Sequence, residues 1–311
     1  MDAFADLLNG ARARGALFNQ TVLDPPWSLR ICDGAPLALA TMIRGHAWVV
    51  PDDSPPALMR TGDVAIMRGP APYTIADDPA TPPQIVIHSG CHYTTVEGRD
   101  LGSELTLGIR TCGESSTGSA LVVSGTYQVQ GDVSGRLLAA LPPVLVVPEE
   151  DSRGPLMDLV VAEINKDEPG QQVVLDRLLD LALIATLRAW FARPEARAPA
   201  WYRAQCDPVV GRALRSLHDR PADPWTVATL ADRAGVSRAT FARRFTALLG
   251  EPPMSYLTDW RIALAADLLR ETDATVESIA RQVGYANAFA LSVAFKRVRG
   301  LSPSRHRALA G

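Results

Sequence analysis

The sequence predicts an α+β chain of two domains, a β-rich N-terminal barrel with helices behind it and an all-α C-terminal domain. Three observations carry this. Residues 24 to 134 hold many short β-favouring runs separated by Pro, Gly and Asp clusters. From Gly135 the apolar spacing becomes helical. Between Thr226 and Pro303 one device, a helix, a Gly-containing turn and a capped second helix, is written twice. The expected division is 1–134 for the barrel, 135–198 for a helical dimerisation segment and linker, and 199–311 for the paired motifs. A chain of 311 residues has room for a core in each part.

Phe4, Leu7 and Leu8 share a face and predict an N-terminal helix that Ala11 and Ala16 extend. Short strands are expected at 37–42, 46–50, 63–67, 84–87, 104–109 and 120–123. Proline and aspartate clusters such as Val50-Pro-Asp-Asp-Ser-Pro-Pro punctuate them. Many short strands at this spacing suggest a sandwich or small barrel. Beyond them, helices are expected over 155–166 and 171–191. The apolar stripe of the second, from Leu175 to Phe191, is too wide for a helix resting on one surface and predicts a homodimer contact. Pro194 and Pro199 bracket a linker, and a helix over 201–217 follows.

In the first copy of the device, Val227, Leu230, Ala231 and Ala234 form one helical face, Gly235 turns the chain, and Ser237 caps a helix lined by Phe241, Phe245 and Leu248. In the second, Ile279 and Val283 share a face, Gly284-Tyr285 turns, Asn287 caps, and Leu291, Phe295 and Val298 line the following helix. Residues 255 to 269 contain no Gly or Pro. They predict a connecting helix about 22 Å long, enough to set two recognition helices roughly one DNA turn apart.

Charge is distributed to match. From residue 200 onward there are 16 Lys and Arg against 10 Asp and Glu, whereas the first 199 residues carry 15 against 24. A basic C-terminal part on an acidic N-terminal part suits a nucleic-acid-binding module attached to something that does not touch DNA. No apolar run reaches the length of a membrane span, no basic flank of a signal peptide opens the sequence, and Cys32, Cys91, Cys112 and Cys206 show no paired spacing. The expectation is a cytoplasmic protein without a membrane partner.

At the paired motifs the sequence resembles the DNA-binding domain of AraC-type transcriptional regulators. Ala231, Gly235, Ser237, Phe241, Arg244, Phe245, Gly250, Pro253, Tyr256, Arg261, Ala265, Leu268, Leu269, Ile279, Ala280, Gly284, Tyr285, Phe295, Lys296, Gly300 and Pro303 stand where that family's pattern places them. The resemblance implies double-stranded promoter DNA as partner, and RNA polymerase if the protein activates. Ser237, Arg238, Ala239, Ala242 and Arg243 of the first recognition helix are the expected contacts. Arg243 suits a bidentate contact to guanine or a phosphate, while Arg244 braces the domain internally. In the second helix Phe289, Ala290 and Val293 depart from the family's polar or basic residues. They can touch a thymine methyl but cannot donate a hydrogen bond, and Lys296 and Arg297 are expected on phosphates.

Gly45-His46-Ala-Trp48 and the segment from Gly62 to Tyr73 resemble the two signatures of the cupin jelly roll, a barrel that commonly serves such regulators as sensor. Trp48 and Tyr73 stand where metal-binding cupins have histidines, so neither a metal, a cofactor nor catalysis is expected. A small-molecule effector is expected instead, with Trp27, Arg30, Arg44, His46, Trp48, Tyr73 and His88 as candidate pocket residues. The alternative is a cupin enzyme, or a metal or redox sensor at His88-Ser-Gly-Cys91-His92 with Cys32 and His46, fused to a DNA-binding domain.

Overall fold

The computed structural model describes residues 11–12, 19–129, 131–152, 156–193, 196 and 198–310. Phe4, Leu7, Leu8 and Ala16 lie outside them. The described residues divide into two compact units, one drawn from 11–129 and 138–196, the other from 198–310 together with 131–137.

Fourteen strands are described: β1 (Ala11–Arg12), β2 (Asn19–Leu23), β3 (Ser28–Cys32), β4 (Leu37–Arg44), β5 (His46–Pro51), β6 (Ala57–Arg60), β7 (Val64–Arg68), β8 (Tyr73–Ala76), β9 (Ile85–His88), β10 (His92–Thr95), β11 (Thr106–Gly108), β12 (Thr111–Gly113), β13 (Ala120–Val129) and β14 (Val144–Val147). They form two facing sheets, an open jelly-roll-like barrel rather than a closed ring. One runs β11-β12-β2-β13-β4-β7-β14, with β1 also on β13, and the other β10-β9-β3-β8-β5-β6. The helix extension expected at Ala11 is a strand, because Ala11 and Arg12 pair with Val129 and Gln128. The strand expected over 104–109 is a short helix, α1 (Gly102–Leu105), followed by β11.

Alternation explains how the sheets close on each other. Ala38, Ala40 and Met42 of β4 join Leu29, Ile31, Val49, Met59 and Met67 in the core between the sheets. Leu37, Leu39 and Thr41 point the other way and are equally buried. Along the chain, α2 (Asp132–Ala139) and β14 are followed by α3 (Glu149–Ser152), α4 (Leu156–Ile164) and α5 (Gln171–Ala192), and α5 packs on that second face. The Tyr127 hydroxyl of β13 donates to the Leu179 carbonyl of α5 at 2.7 Å. Leu175, Leu179, Leu183 and Leu187 are fully buried there, whereas Val173, Val174 and Leu181 are exposed.

The second unit carries α6 (Ala200–Gln205), α7 (Val210–Asp219), α8 (Val227–Ala234), α9 (Arg238–Leu249), α10 (Pro253–Glu271), α11 (Val276–Gln282), α12 (Ala288–Arg299) and α13 (Pro303–Ala310). The single helix expected over 201–217 is two helices. Pro208 has no N–H to donate to a continuing helix, and Asp207 instead accepts from the Val209 and Val210 N–H groups at 2.9 Å, starting α7 afresh. The connecting helix α10 serves two cores at once. Tyr256 and Leu257 pack with Leu214, Leu230, Phe241 and Phe245, while Ile262, Ala266 and Leu269 pack with Ile279, Leu291 and Phe295.

Candidate functional site

Each helix-turn-helix is built by its caps. Thr226 accepts from the Thr229 N–H and Thr229 returns a bond to the Thr226 N–H, a reciprocal cap on α8. Gly235 ends α8 at φ 72°, where a side chain is disfavoured. Ser237 then accepts from the Thr240 N–H at 3.2 Å to open α9. Phe241 and Phe245 are fully buried with ring centres 5.7 Å apart. That anchors one face of α9 and turns Arg238, Ala239, Arg243 and Thr246 to solvent, with Ala242 half-buried beside them. Arg238 and Arg243 have no ion-pair partner among the described residues. Arg244, the neighbour of Arg243, is committed inward: its Nε and Nη2 donate to Asp207 Oδ2 at 2.8 and 2.7 Å. Burial opposes ionisation of Asp207, but the Val210 N–H, the Arg244 guanidinium and the Val209 N–H outweigh it and hold the carboxyl below its ordinary value.

The second copy repeats the frame with different chemistry on its face. Thr275 caps α11 through the Ser278 N–H at 3.2 Å. The turn passes through Gly284 at φ 85°, where a Cβ would lie 2.7 Å from Ala222 Cα and from Arg261. Arg261 itself is tied down, donating to the Pro221 and Asp223 carbonyls at 2.7 and 2.8 Å. At the start of α12, Asn287 accepts from the Ala290 N–H at 2.9 Å and Glu277 accepts from the Ala288 N–H at 2.7 Å. The latter bond and Arg281 lower the Glu277 pKa. With Leu291 and Phe295 fully buried, the opposite face presents Phe289 at 77% exposure and Val293 at 55%. Ala290 is half-buried between them, and Lys296 and Arg297 are exposed along the same helix. All ten residues expected at a DNA surface therefore fall on the two capped helices, basic on the first and apolar with a basic end on the second.

A cavity of about 270 Å³ opens between the two sheets of the N-terminal unit. Of the seven expected pocket residues it contains Tyr73 and His88. Trp27 is buried in the core between the sheets but does not line the cavity. Arg30 sits between the inward-facing Leu29 and Ile31, so alternation turns it out, where it forms a bidentate pair with Asp52 at 2.6 and 2.7 Å. Arg44 and His46 are exposed, and half-buried Trp48 lies opposite Leu58 and Ala76 in its sheet. Beside apolar Ile31, Ile75 and Ile87, the cavity has a polar lining that was not among the expected residues: Asn19, Thr21, Asp33, Ser124, Thr126 and Gln128. Its signal was present, since Ser124, Thr126 and Gln128 alternate along β13 beyond the expected strand end at residue 123.

Cys91 and Cys112 both border the Tyr93 hydroxyl. Asn19 Nδ2 donates to Cys91 Sγ at 2.7 Å, and the Cys112 thiol donates to the Tyr93 oxygen at 3.2 Å. Burial pushes the Cys91 thiol up despite its bonds from Asn19 and Tyr93, which disfavours the reactive thiolate that the redox-sensor alternative needs. His88 and His92 lie 5.5 Å apart, ring to ring, and all four cysteines are free thiols. Among the described residues no three His, Cys, Asp or Glu side chains gather in a group able to hold a metal ion, and no helix is long and apolar enough to cross a membrane.

Comparison with known proteins agrees with both halves. A cupin family matches residues 2–192 and a helix-turn-helix domain family matches residues 230–308. Proteins of Streptomyces lividans and Streptomyces antibioticus, each named an AraC-like transcription regulator, are 32% identical over 312 residues, covering 99% of this chain and 98% of each relative. The regulator MtrA of Neisseria gonorrhoeae is 23% identical over 99% of this chain and 98% of its own length. The DNA-binding domain of AdpA, solved in complex with a target DNA, is 35% identical over 33% of this chain and 92% of that chain, with a TM-score of 0.32. The chain belongs to the AraC family of DNA-binding transcriptional regulators and carries a cupin-like domain ahead of its paired helix-turn-helix units.

Proposed function

We propose that residues 199–311 read a promoter element with α9 and α12 in successive major-groove segments. The observation that carries this is the pairing of buried and presented faces: Phe241 with Phe245, and Leu291 with Phe295, hold each recognition helix so that Arg238, Arg243, Phe289 and Val293 stand in solvent. The unpaired Arg243 suits a guanine edge or a phosphate, and Lys296 and Arg297 suit phosphates. Ser237 and Asn287 place helix N-termini where backbone N–H groups favour an anion, an arrangement compatible with DNA. Protection mapping on a promoter fragment, with Arg243→Ala and Lys296→Ala compared, tests the reading. Specific protection lost in the first variant and weakened across sequences in the second is the expected pattern.

The N-terminal unit is proposed as the sensor, with a small-molecule effector in the cavity between its sheets and no resident metal or turnover. Dimerisation is assigned to α5, whose Val173, Val174 and Leu181 stay exposed after the helix has buried four leucines in its own unit. Action on promoters places the protein in the cytoplasm, as a homodimer that contacts RNA polymerase if it activates.

A further inference from the structure

We infer that the cavity between the two sheets takes a small organic cation, an amine carried on an aromatic or aliphatic body, and that Asp33 is its counter-charge. This rests on reading the N-terminal unit as an effector-binding one. The cavity volume of about 270 Å³ holds roughly nine water-sized groups at about 30 Å³ each, so the ligand is small.

The lining is two-sided. Strand alternation brings Ser124, Thr126 and Gln128 of β13 to one wall, and Tyr73, Ile75 and Ile87 to the other. The first wall offers neutral hydrogen-bonding groups and the second an apolar body with one hydroxyl. Tyr73 is only 8% exposed, yet its hydroxyl has no hydrogen-bond partner among the described residues.

Charge narrows the class further. Asp33 is the only Asp or Glu among the described lining residues, and no Lys or Arg lies with it. Its Oδ1 accepts from the Ala35 N–H at 2.9 Å, and no bond among the described residues engages Oδ2. Burial first, and the Asp33 carboxylate after it, push the Tyr73 hydroxyl pKa up, so the field of the carboxylate reaches the apolar wall. An anionic ligand would be desolvated beside a like charge with no Lys or Arg to receive it, and the lining imidazole of His88 already has its Nε2 3.0 Å from Thr94 Oγ1. A neutral donor would replace a hydrogen bond at Oδ2 but would leave the carboxylate without a counter-charge in the partly desolvated site. A protonated amine supplies both the charge and the donors that Oδ2 lacks, while its body covers Ile75 and Ile87. The arginines that would have argued for an anionic effector are elsewhere: Arg30 is spent on Asp52, and Arg44 lies outside the lining.

Benzylamine, benzyl alcohol and benzoate share one ring and differ in charge, and they test the proposal on the full-length chain by calorimetric titration. Benzylamine is expected to bind about tenfold more tightly than benzyl alcohol, a difference of about 1.4 kcal/mol, with benzoate weaker than both. Asp33→Asn keeps an acceptor for the Ala35 N–H and should reduce the amine-to-alcohol ratio to about one. Tyr73→Phe should weaken both ligands several-fold. Should Asp33→Asn not fold, raised salt on the wild-type chain gives the same reading, since it should shrink the amine preference and leave the alcohol unchanged. Benzoate binding as tightly as benzylamine, or an amine preference that survives in folded Asp33→Asn, would overturn the assignment. Site-specific DNA binding is read on the same preparation: its absence with amine selectivity intact would remove the regulator reading and leave the cation site standing.

Discussion

Replacing thymine by deoxyuridine in the half of the operator facing α12 removes one methyl group per base and leaves every hydrogen-bonding edge unchanged. Phe289 at 77% exposure and Val293 at 55% have no donor to offer a base, so contact with thymine methyls is their means of direct readout. A buried methylene-sized group contributes about 0.8 kcal/mol. Two methyls covered by Phe289 and Val293 therefore contribute about 1.6 kcal/mol, or roughly 15-fold in affinity. Fluorescence anisotropy on matched thymine and deoxyuridine duplexes measures this directly. Phe289→Ala should remove most of the difference, so that variant and modification are strongly non-additive. The same substitution in the half facing α9, where Arg238 and Arg243 are presented, should change little. Equal affinity for the two duplexes, or an equal loss in both halves, would refute the reasoning.

Arg243→Ala should cost about 1–3 kcal/mol of binding and relax preference at one base pair, measured by competition against single-base variants of the site. Asp207→Ala should destabilise the C-terminal unit by about 1–2 kcal/mol in urea, mainly through the lost cap on α7. Arg244 is 45% exposed, so its pair with Asp207 adds little more. Because the folded Asp207 pKa is depressed, that contribution is present above the ordinary aspartate value and is lost as pH falls through the folded one; the gap between wild type and variant should close in acid. Val174→Glu with Leu181→Glu should give folded monomers by sedimentation. Leu179→Glu should instead unfold the N-terminal unit, because Leu179 is fully buried within it.

The C-terminal half was readable because its signals are local. Thr226, Ser237, Thr275 and Asn287 cap the helices they precede, and Gly235 and Gly284 turn where the chain needs a positive φ. The misreading there, one helix over 201–217, came from weighting apolar spacing above Pro208 and the capping carboxylate of Asp207. The N-terminal half depends on pairings distant in sequence. β12 lies parallel to β2 and β9 parallel to β3, partners that no turn signal announces. Pocket lining was least legible, because it turns on strand register: Arg30 and Ile31 are neighbours, and only Ile31 faces the cavity. Asp33 escaped notice because its role depends on Tyr73, Ile75 and Ile87 arriving from other strands.

Selection of binding sites from random duplexes with the purified full-length chain, followed by titration of the selected site across salt, tests the central claim most directly. The expected result is one enriched motif with two elements about one helical turn apart, one specified by hydrogen-bonding bases and one rich in thymine. Affinity should fall steeply with salt as Lys and Arg release counterions, with a log–log slope near −0.9 for each phosphate held. A pool that enriches no motif, or a motif whose binding is unmoved by Arg243→Ala and Phe289→Ala together, would contradict it.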